Sequence, residues 1–250
     1  MYARHAFLTI ALVAAAFSAA RGETASEIVR RADEIMRGNS SYAEITMTIV
    51  KPDWSRSISL RSWSLKNEFG LVLITEPERD RGTVTLKRKN EVWNWLPSIE
   101  RIIKIPPSMM LQSWLGSDFT NDDLVRESSI VNDYTQTLSG DSTIGGRSCY
   151  KITLIPKETA AVVWGKVVLF ISKDGYFELR TEMYDEEGVL SKILIADKIK
   201  NIGNRTLPTY WEMRPVDKPG QKTILEYKVW QFDVPLSELF FSLQNMRRVR

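Results

Sequence analysis

From Ala43 the chain alternates: Ala43, Ile45, Met47 and Ile49 are apolar, and Glu44, Thr46 and Thr48 between them are polar. A period of two marks a strand with one buried face. Comparable runs follow near 56–66, 69–75, 82–89, 92–96 and 101–105. Turn signals separate them at Pro52-Asp53, Asn67-Glu68, Arg81-Gly82, Lys89-Asn90 and Pro97-Ser98. The gaps are short, so neighbouring strands are expected to pair antiparallel and in order. A second series lies near 134–141, 148–155, 163–171, 176–184, 189–200, 206–214 and 222–230. Gly145-Gly146, Asp174-Gly175 and Glu187-Gly188 are its turn signals. No βαβ rhythm and no solenoid repeat intervenes. Roughly a dozen short strands at even spacing predict a barrel or a strongly curved sheet.

Two stretches before the strands follow other periods. Ile28, Val29, Ala32, Ile35 and Met36 recur at helical spacing and Gly38 follows as a stop. Thr24 and Glu27 have the spacing of a capping box, so a helix over 25–37 is expected. Residues 1–20 read as a secretory signal peptide. Arg4 supplies the positive start, Ala6 to Phe17 the apolar core, and Ser18-Ala19-Ala20 the small residues of a cleavage site. That core is shorter than the roughly 20 residues a membrane span needs.

Segment 106–130 breaks the alternation. Pro106 and Pro107 end the preceding strand; Met109, Met110, Leu111, Trp114 and Leu115 follow, then Gly116. Phe119 and Leu124 lie further on. A connection this long is often a functional lid. Its apolar content requires it to lie against something greasy, as a lid over a cavity or as a plug in the core. After Pro235, Leu236, Leu239, Phe240 and Leu243 have helical spacing, and Arg247, Arg248 and Arg250 follow. A short packed helix with a solvated basic end is expected there.

Composition narrows the chemistry. The whole chain holds 34 Lys+Arg against 31 Asp+Glu. Loss of Arg4 with the signal leaves 34 − 1 = 33 against 31, a net +2 without the basic stripe of a nucleic-acid binder. The single histidine, His5, falls in the signal segment, so the mature chain has no imidazole. That removes the commonest general base and the commonest metal ligand. Cys149 stands alone, can form no internal disulfide, and reads as a small buried hydrophobe. Ser148 and Lys151 have Ser-x-x-Lys spacing, but on a strand positions three apart face opposite sides. Asp118, Asp122 and Asp123 lack the every-second-position pattern of a calcium loop. Helix capping by Asn121 or Asp122 is the expected use. Asp185-Glu186-Glu187-Gly188 reads as an exposed hairpin turn, and no carboxylate pair is marked out as flanking a glycosidic bond. Catalysis is not expected, and neither a cofactor nor a metal is implied. Eight tryptophans are abundant bulk, and Trp93 and Trp95 share one strand face.

Three stretches carry a resemblance: Glu91-Val-Trp-Asn-Trp-Leu-Pro97, Arg101-Ile-Ile-Lys-Ile105, and Met109-Met-Leu-Gln-Ser-Trp-Leu-Gly-Ser-Asp-Phe-Thr-Asn-Asp-Asp-Leu124. With a signal peptide, one amphipathic helix and antiparallel strands, the chain resembles the LolA/LolB lipoprotein-carrier superfamily. Its closer likeness is to the branch of outer-membrane lipoprotein-sorting proteins, and it covers about Thr24 to Phe241. The resemblance implies a mainly β fold: an incomplete antiparallel barrel of about 11–13 strands, with the N-terminal helix and short lid helices on the concave side. It implies one domain over 21–250, in the periplasm, as a monomer. It implies carriage of lipoprotein acyl chains or free lipid toward the outer membrane, with an inner-membrane exporter and an outer-membrane acceptor as partners and no nucleic acid. A non-carrying accessory or scaffold protein of an RND-type transporter is the other reading it allows. An arginine that matters in the carriers has Arg56 and Arg61 as its nearest candidates here. The residues expected to touch lipid are Ile28, Ile35, Met47, Trp93 and Trp95, with Met109, Met110, Leu111, Trp114, Leu115 and Phe119 of the long segment.

Overall fold

The computed structural model describes residues 22–66, 68–126, 130–160 and 162–249. The expected signal segment lies outside the described residues. Thr24 caps helix α1 (Ala25–Arg37), its hydroxyl accepting from Glu27 N–H while the Glu27 carboxylate accepts from Thr24 N–H. The N-terminal strands are β1 (Ser40–Val50), β2 (Ser55–Leu65), β3 (Phe69–Glu76), β4 (Val84–Arg88), β5 (Glu91–Leu96) and β6 (Arg101–Lys104). A short helix α2 (Asn121–Arg126) lies in the long connection. The second series is β7 (Tyr134–Ile144), β8 (Arg147–Pro156), β9 (Lys166–Ser172), β10 (Glu178–Tyr184), β11 (Leu190–Ile202), β12 (Arg205–Pro215) and β13 (Lys222–Phe232).

These strands form one 13-stranded sheet in the order β6-β5-β4-β3-β2-β1-β13-β12-β11-β10-β9-β8-β7. Every pair is antiparallel, and β6 and β7 are the two free edges, so the barrel is open. Pairing in order holds within each series. The join between them is β1 with β13, from Ser41↔Phe232 to Val50↔Lys222, the first strand with the last. Because β6 and β7 do not pair, the chain between them is free to cross the sheet.

Alternation gives the sheet two faces. On the inner face, Ala25, Ile28, Val29 and Ala32 of α1 pack on Tyr134, Ile152, Leu154, Val167, Leu169 and Ile171. Burying Ile28 and Val29 contributes about 1.5–3 kcal/mol each. On the outer face of β2–β6, the chain end packs Phe241, Met246 and Val249 on Leu71, Leu73, Val84 and Leu86. Here the expectation of one helix with Leu239 and Leu243 inward is corrected. The end forms two 3-10 turns, Glu238–Phe240 and Asn245–Arg247, and Leu239 is 85% exposed. Phe241 takes the buried place because it sits against Phe69, centroids 5.7 Å apart.

Segment 106–126 crosses the inner face and is held there. Trp114 is buried among Met47, Ile49, Ile58, Leu60 and Ile74, and its Nε1–H donates to Thr85 Oγ1 at 3.3 Å. Leu115 and Gly116 both have positive φ, which turns the chain back on itself. The Arg56 guanidinium donates to the Leu115 carbonyl at 2.7 Å. Asp118 is buried, its carboxylate accepting from Lys51, Thr223 and Gln221. Helix α2 is capped by Thr120, whose hydroxyl accepts from Asp123 N–H while the Asp123 carboxylate accepts from Thr120 N–H. The expected caps, Asn121 and Asp122, lie one and two places too far along. Asn121 instead donates to the Met109 carbonyl.

Candidate functional site

Along β1–β4 the inner face changes in size. Near the ends of β1 and β2 that meet at their hairpin it carries Met47, Ile49, Ile58 and Leu60, with Ile74 of β3. Near the other end it carries Ser41, Ala43, Ser62, Ser64 and Gly70. Register places these side by side: Ser41 opposite Ser64, Ala43 opposite Ser62, then Ser64 opposite Gly70 and Ser62 opposite Val72. Gly70 and Val72 stand opposite Lys87 and Thr85. Large side chains close the inner face where Trp114 sits. Small ones leave space, and a cavity of about 390 Å³ opens beside them. That volume is in the range of small-molecule sites.

Helix α1 lies over the cavity with Val29, Ala32, Asp33, Met36 and Arg37, the i, i+3, i+4, i+7 face plus its neighbour. The wall from β9–β11 is mainly apolar, with Val167, Leu169, Ile171, Met183 and Leu194, and carries one polar pair, Glu178 and Thr181. Trp211, Met213, Leu225, Tyr227 and Trp230 continue it on β12 and β13. Tyr227 and Trp230 stack with centroids 4.2 Å apart. Phe119 and the Asp122-Asp123 pair of the crossing segment, with Val162 and Trp164 of the β8–β9 connection, complete the lining. Two of its charged groups are paired within the protein, Arg37 with Asp33 and Asp123 with Lys192 at 3.7 Å, while the buried Trp211 Nε1 has no hydrogen-bond partner among the described residues.

The helix is tied down at both ends. Arg205, in β12, donates to the carbonyls of Glu34 at 3.0 Å and Ile35 at 2.7 Å. Both are last-turn carbonyls, and that of Glu34 also accepts from Gly38 N–H. Its guanidinium lies 4.5 Å from the Phe232 ring centre. At the other end Tyr176 donates to Glu23, and Arg31 lies 3.9 Å over the Tyr176 ring. The hydrogen bond to Glu23 chiefly, with desolvation beside it, pushes the Tyr176 pKa up to about 12.

Of the residues expected to touch lipid, the structure places Phe119 in the cavity lining. Ile28 and Ile35 lie on α1 beside the lining residues; Ile28 is fully buried against the sheet, and Ile35 packs with the Phe177 and Leu207 cluster. Met47, Trp114 and Leu115 belong to the filled part of the inner face. Trp93 and Trp95 are on the outer face, under the chain end, with Arg247 5.2 Å from the Trp95 ring centre. Alternation correctly put them on one face, but nothing in β5 alone says which face is inner. Met110 packs on Val92 and Ile105, while Met109 and Leu111 are exposed. Of the arginines, Arg56 grips the crossing segment, and Arg61 is 3.8 Å from Glu44 on the outer face. The small residues at period two, Ser41/Ala43 and Ser62/Ser64, are the sequence signal for the cavity, a weaker one than the bulk of the tryptophans.

The residues whose spacing raised the question of catalysis are not brought together. Ser148 stands opposite Thr143 and Lys151 opposite Gly140, on different faces of β8. Asp185 accepts from Val189 N–H in its turn. Cys149 is buried, and desolvation pushes its thiol up from the ordinary value, away from reactivity. Among the described residues no group of three His, Cys, Asp or Glu could hold a metal, and no helix is long and apolar enough to cross a membrane.

A family model described as "-like: Uncharacterized protein" matches residues 66–248. No curated protein matches the chain. Among solved structures, a DUF1329 family protein from Desulfovibrio piger superposes with a TM-score of 0.81 at 23% identity, over 89% of this chain and 97% of that one. A domain assigned to outer membrane lipoprotein sorting from Vibrio parahaemolyticus gives 0.79 at 22%, over 90% and 98%. A LolA superfamily protein from Nitrosomonas europaea gives 0.75 at 25%, over 89% and 99%.

Proposed function

The chain belongs to the family whose model spans 66–248 and has the fold of the DUF1329 and LolA superfamily proteins, and from that premise we propose that it is an exported carrier of lipid or of lipoprotein acyl chains. The observation that carries the reading is the cavity under α1, mainly apolar on its β9–β13 side and bounded by protein rather than filled by it. Burial of hydrocarbon there supplies the affinity, about 0.8 kcal/mol for each CH₂ removed from water. No bond is made or broken, which suits a mature chain without imidazole. A volume of about 390 Å³ stands near the low end of small-molecule sites, which run from about 300 to about 1,000 Å³. That accommodates one acyl chain better than the several of a whole membrane lipid. The periplasm is the compartment that fits such a task and the signal-like start of the chain.

The cavity is partly open, and movement of a covering element would widen its entry. Segment 106–126 is anchored through buried Asp118 and Trp114, so it serves as a fixed plug. Helix α1 is the gate: its contacts are one apolar face and two polar end ties, and Gly38 with φ +64 follows it as a pivot. Protein purified from its own host and extracted with organic solvent is expected to yield a lipid by mass spectrometry, near one per chain. Repeated recovery of empty protein that also fails to take up a fluorescent acyl probe would count against carriage.

A further inference from the structure

The cavity is two-sided, and the sides differ in chemistry. Its β9–β13 wall is mainly apolar and aromatic, and its polar pair, Thr181 and Glu178 of β10, is bonded to itself, the Thr181 hydroxyl donating to the Glu178 carboxylate. Its β1–β4 wall sets the hydroxyls of Ser41, Ser62, Ser64 and Thr85 among Ala43, Ile45 and Val72, with the Lys87 side chain beside Gly70. Ser41 and Ser64 share a hydrogen bond of 2.7 Å, in which one hydroxyl donates and both retain acceptor capacity. Thr85 donates to Asn94 at 2.8 Å and accepts from Trp114. A site meant for bare hydrocarbon gains nothing from this wall. Covering hydroxyls with alkane removes their water without replacing its hydrogen bonds, and each such loss weakens binding.

Resting on the carrier reading, we propose that the occupant is an amphiphile of single-chain size whose oxygen-bearing polar part lies inside the cavity. Its hydroxyl or ester oxygens meet Ser62, Ser64 and Ser41, with Lys87 beside any carbonyl or anionic oxygen. Its chain lies against the wall from β9 to β13. The head is therefore recognised within the protein rather than left in solvent at the mouth. The small size of Ser41, Ala43, Ser62 and Gly70 gives the head the width it needs.

The test is displacement of a bound fluorescent acyl probe by two competitors of equal chain length, 1-monodecanoylglycerol and decane. In the unaltered protein the glyceride is expected to compete at least about tenfold better, the worth of one or two hydrogen bonds. In Ser62→Ala combined with Lys87→Met that advantage should fall below about threefold while decane competes as before. The single substitutions are measured alongside, and circular dichroism confirms that each protein is folded. Equal competition by the two ligands in the unaltered protein overturns the proposal and leaves the carrier reading standing. An advantage that survives both substitutions overturns the assignment to this wall. If the probe itself never binds, the carrier reading fails first.

Discussion

Asp118 and Thr223 bond each other twice: Asp118 N–H donates to Thr223 Oγ1 at 2.9 Å, and the Thr223 hydroxyl donates to Asp118 Oδ2 at 2.7 Å. Lys51 at 3.1 Å and Lys192, through the Asp118 carbonyl at 2.7 Å, add two cations from β1's end and β11. One residue of the crossing segment thus joins both halves of the sheet. Removal of its carboxylate leaves the partly buried Lys51 ammonium, and the Gln221 and Thr223 donors, short of a partner. Asp118→Ala is expected to lower stability by about 2–3 kcal/mol, measured by chemical denaturation with an unchanged m-value. A loss under half of this would show the segment to be loosely held.

Trp114 separates plug from lid. It is 5% exposed and packed on five large apolar side chains. Trp114→Ala should cost about 3–5 kcal/mol of stability, as large core truncations do. Affinity for an acyl probe, measured below the melting range, should change far less. The reverse order of effects would make this segment a ligand-facing lid.

The Arg205 tie predicts where the helix opens. Arg205→Ala removes the donors to the Glu34 and Ile35 carbonyls. Amide exchange of α1 should quicken by about tenfold, corresponding to about 1–1.5 kcal/mol. Exchange in β1 and β13 should stay as it was. Equal change throughout would mean global destabilisation instead of a loosened gate.

Tyr176 makes the other tie titratable. Its folded pKa of about 12 stands above the ordinary 10.0, so its bond to Glu23 stabilises fully below pH 10. That contribution disappears as pH rises through about 12. The stability difference between the unaltered protein and Tyr176→Phe should be constant from pH 7 to 9 and shrink above 10. A difference that persists at pH 12 would contradict the assignment.

Glu212, on the outer face, behaves oppositely. Burial alone would raise its pKa, but hydrogen bonds from Tyr210, Arg214 and Lys222 outweigh it and hold the carboxyl below its ordinary 4.5. Its folded pKa is depressed, so its contribution is present above pH 4.5 and lost as pH falls through the lowered value. Glu212→Gln should destabilise by about 2 kcal/mol at pH 7, with the gap closing on acidification below pH 4.5.

Period and punctuation made the scaffold legible. Thr24, Glu27 and Gly38 bounded α1, and alternation located the strands, because both signals are local. The site was less legible because a cavity is a property of facing surfaces. Trp93 and Trp95 looked like lining, yet their face was settled by the distant chain end that covers it. Leu239 and Leu243 had the right spacing for burial, and Phe241 displaced them through contact with Phe69. Trp211 and Trp230 reach the cavity only because β13 pairs with β1, a register fixed between residues nearly 190 apart, as in Ala43↔Trp230 (230 − 43 = 187).

The central claim is that hydrocarbon occupies the space beside Ala43 and Ser62, and filling that space tests it most directly. Titration of a fluorescent acyl probe is compared between the unaltered protein, Ala43→Phe and Ser62→Phe. The account predicts saturable one-to-one binding to the first and at least about a tenfold loss, near 1.4 kcal/mol, in both variants while they remain folded. Undiminished binding in two folded, cavity-filled variants would contradict it.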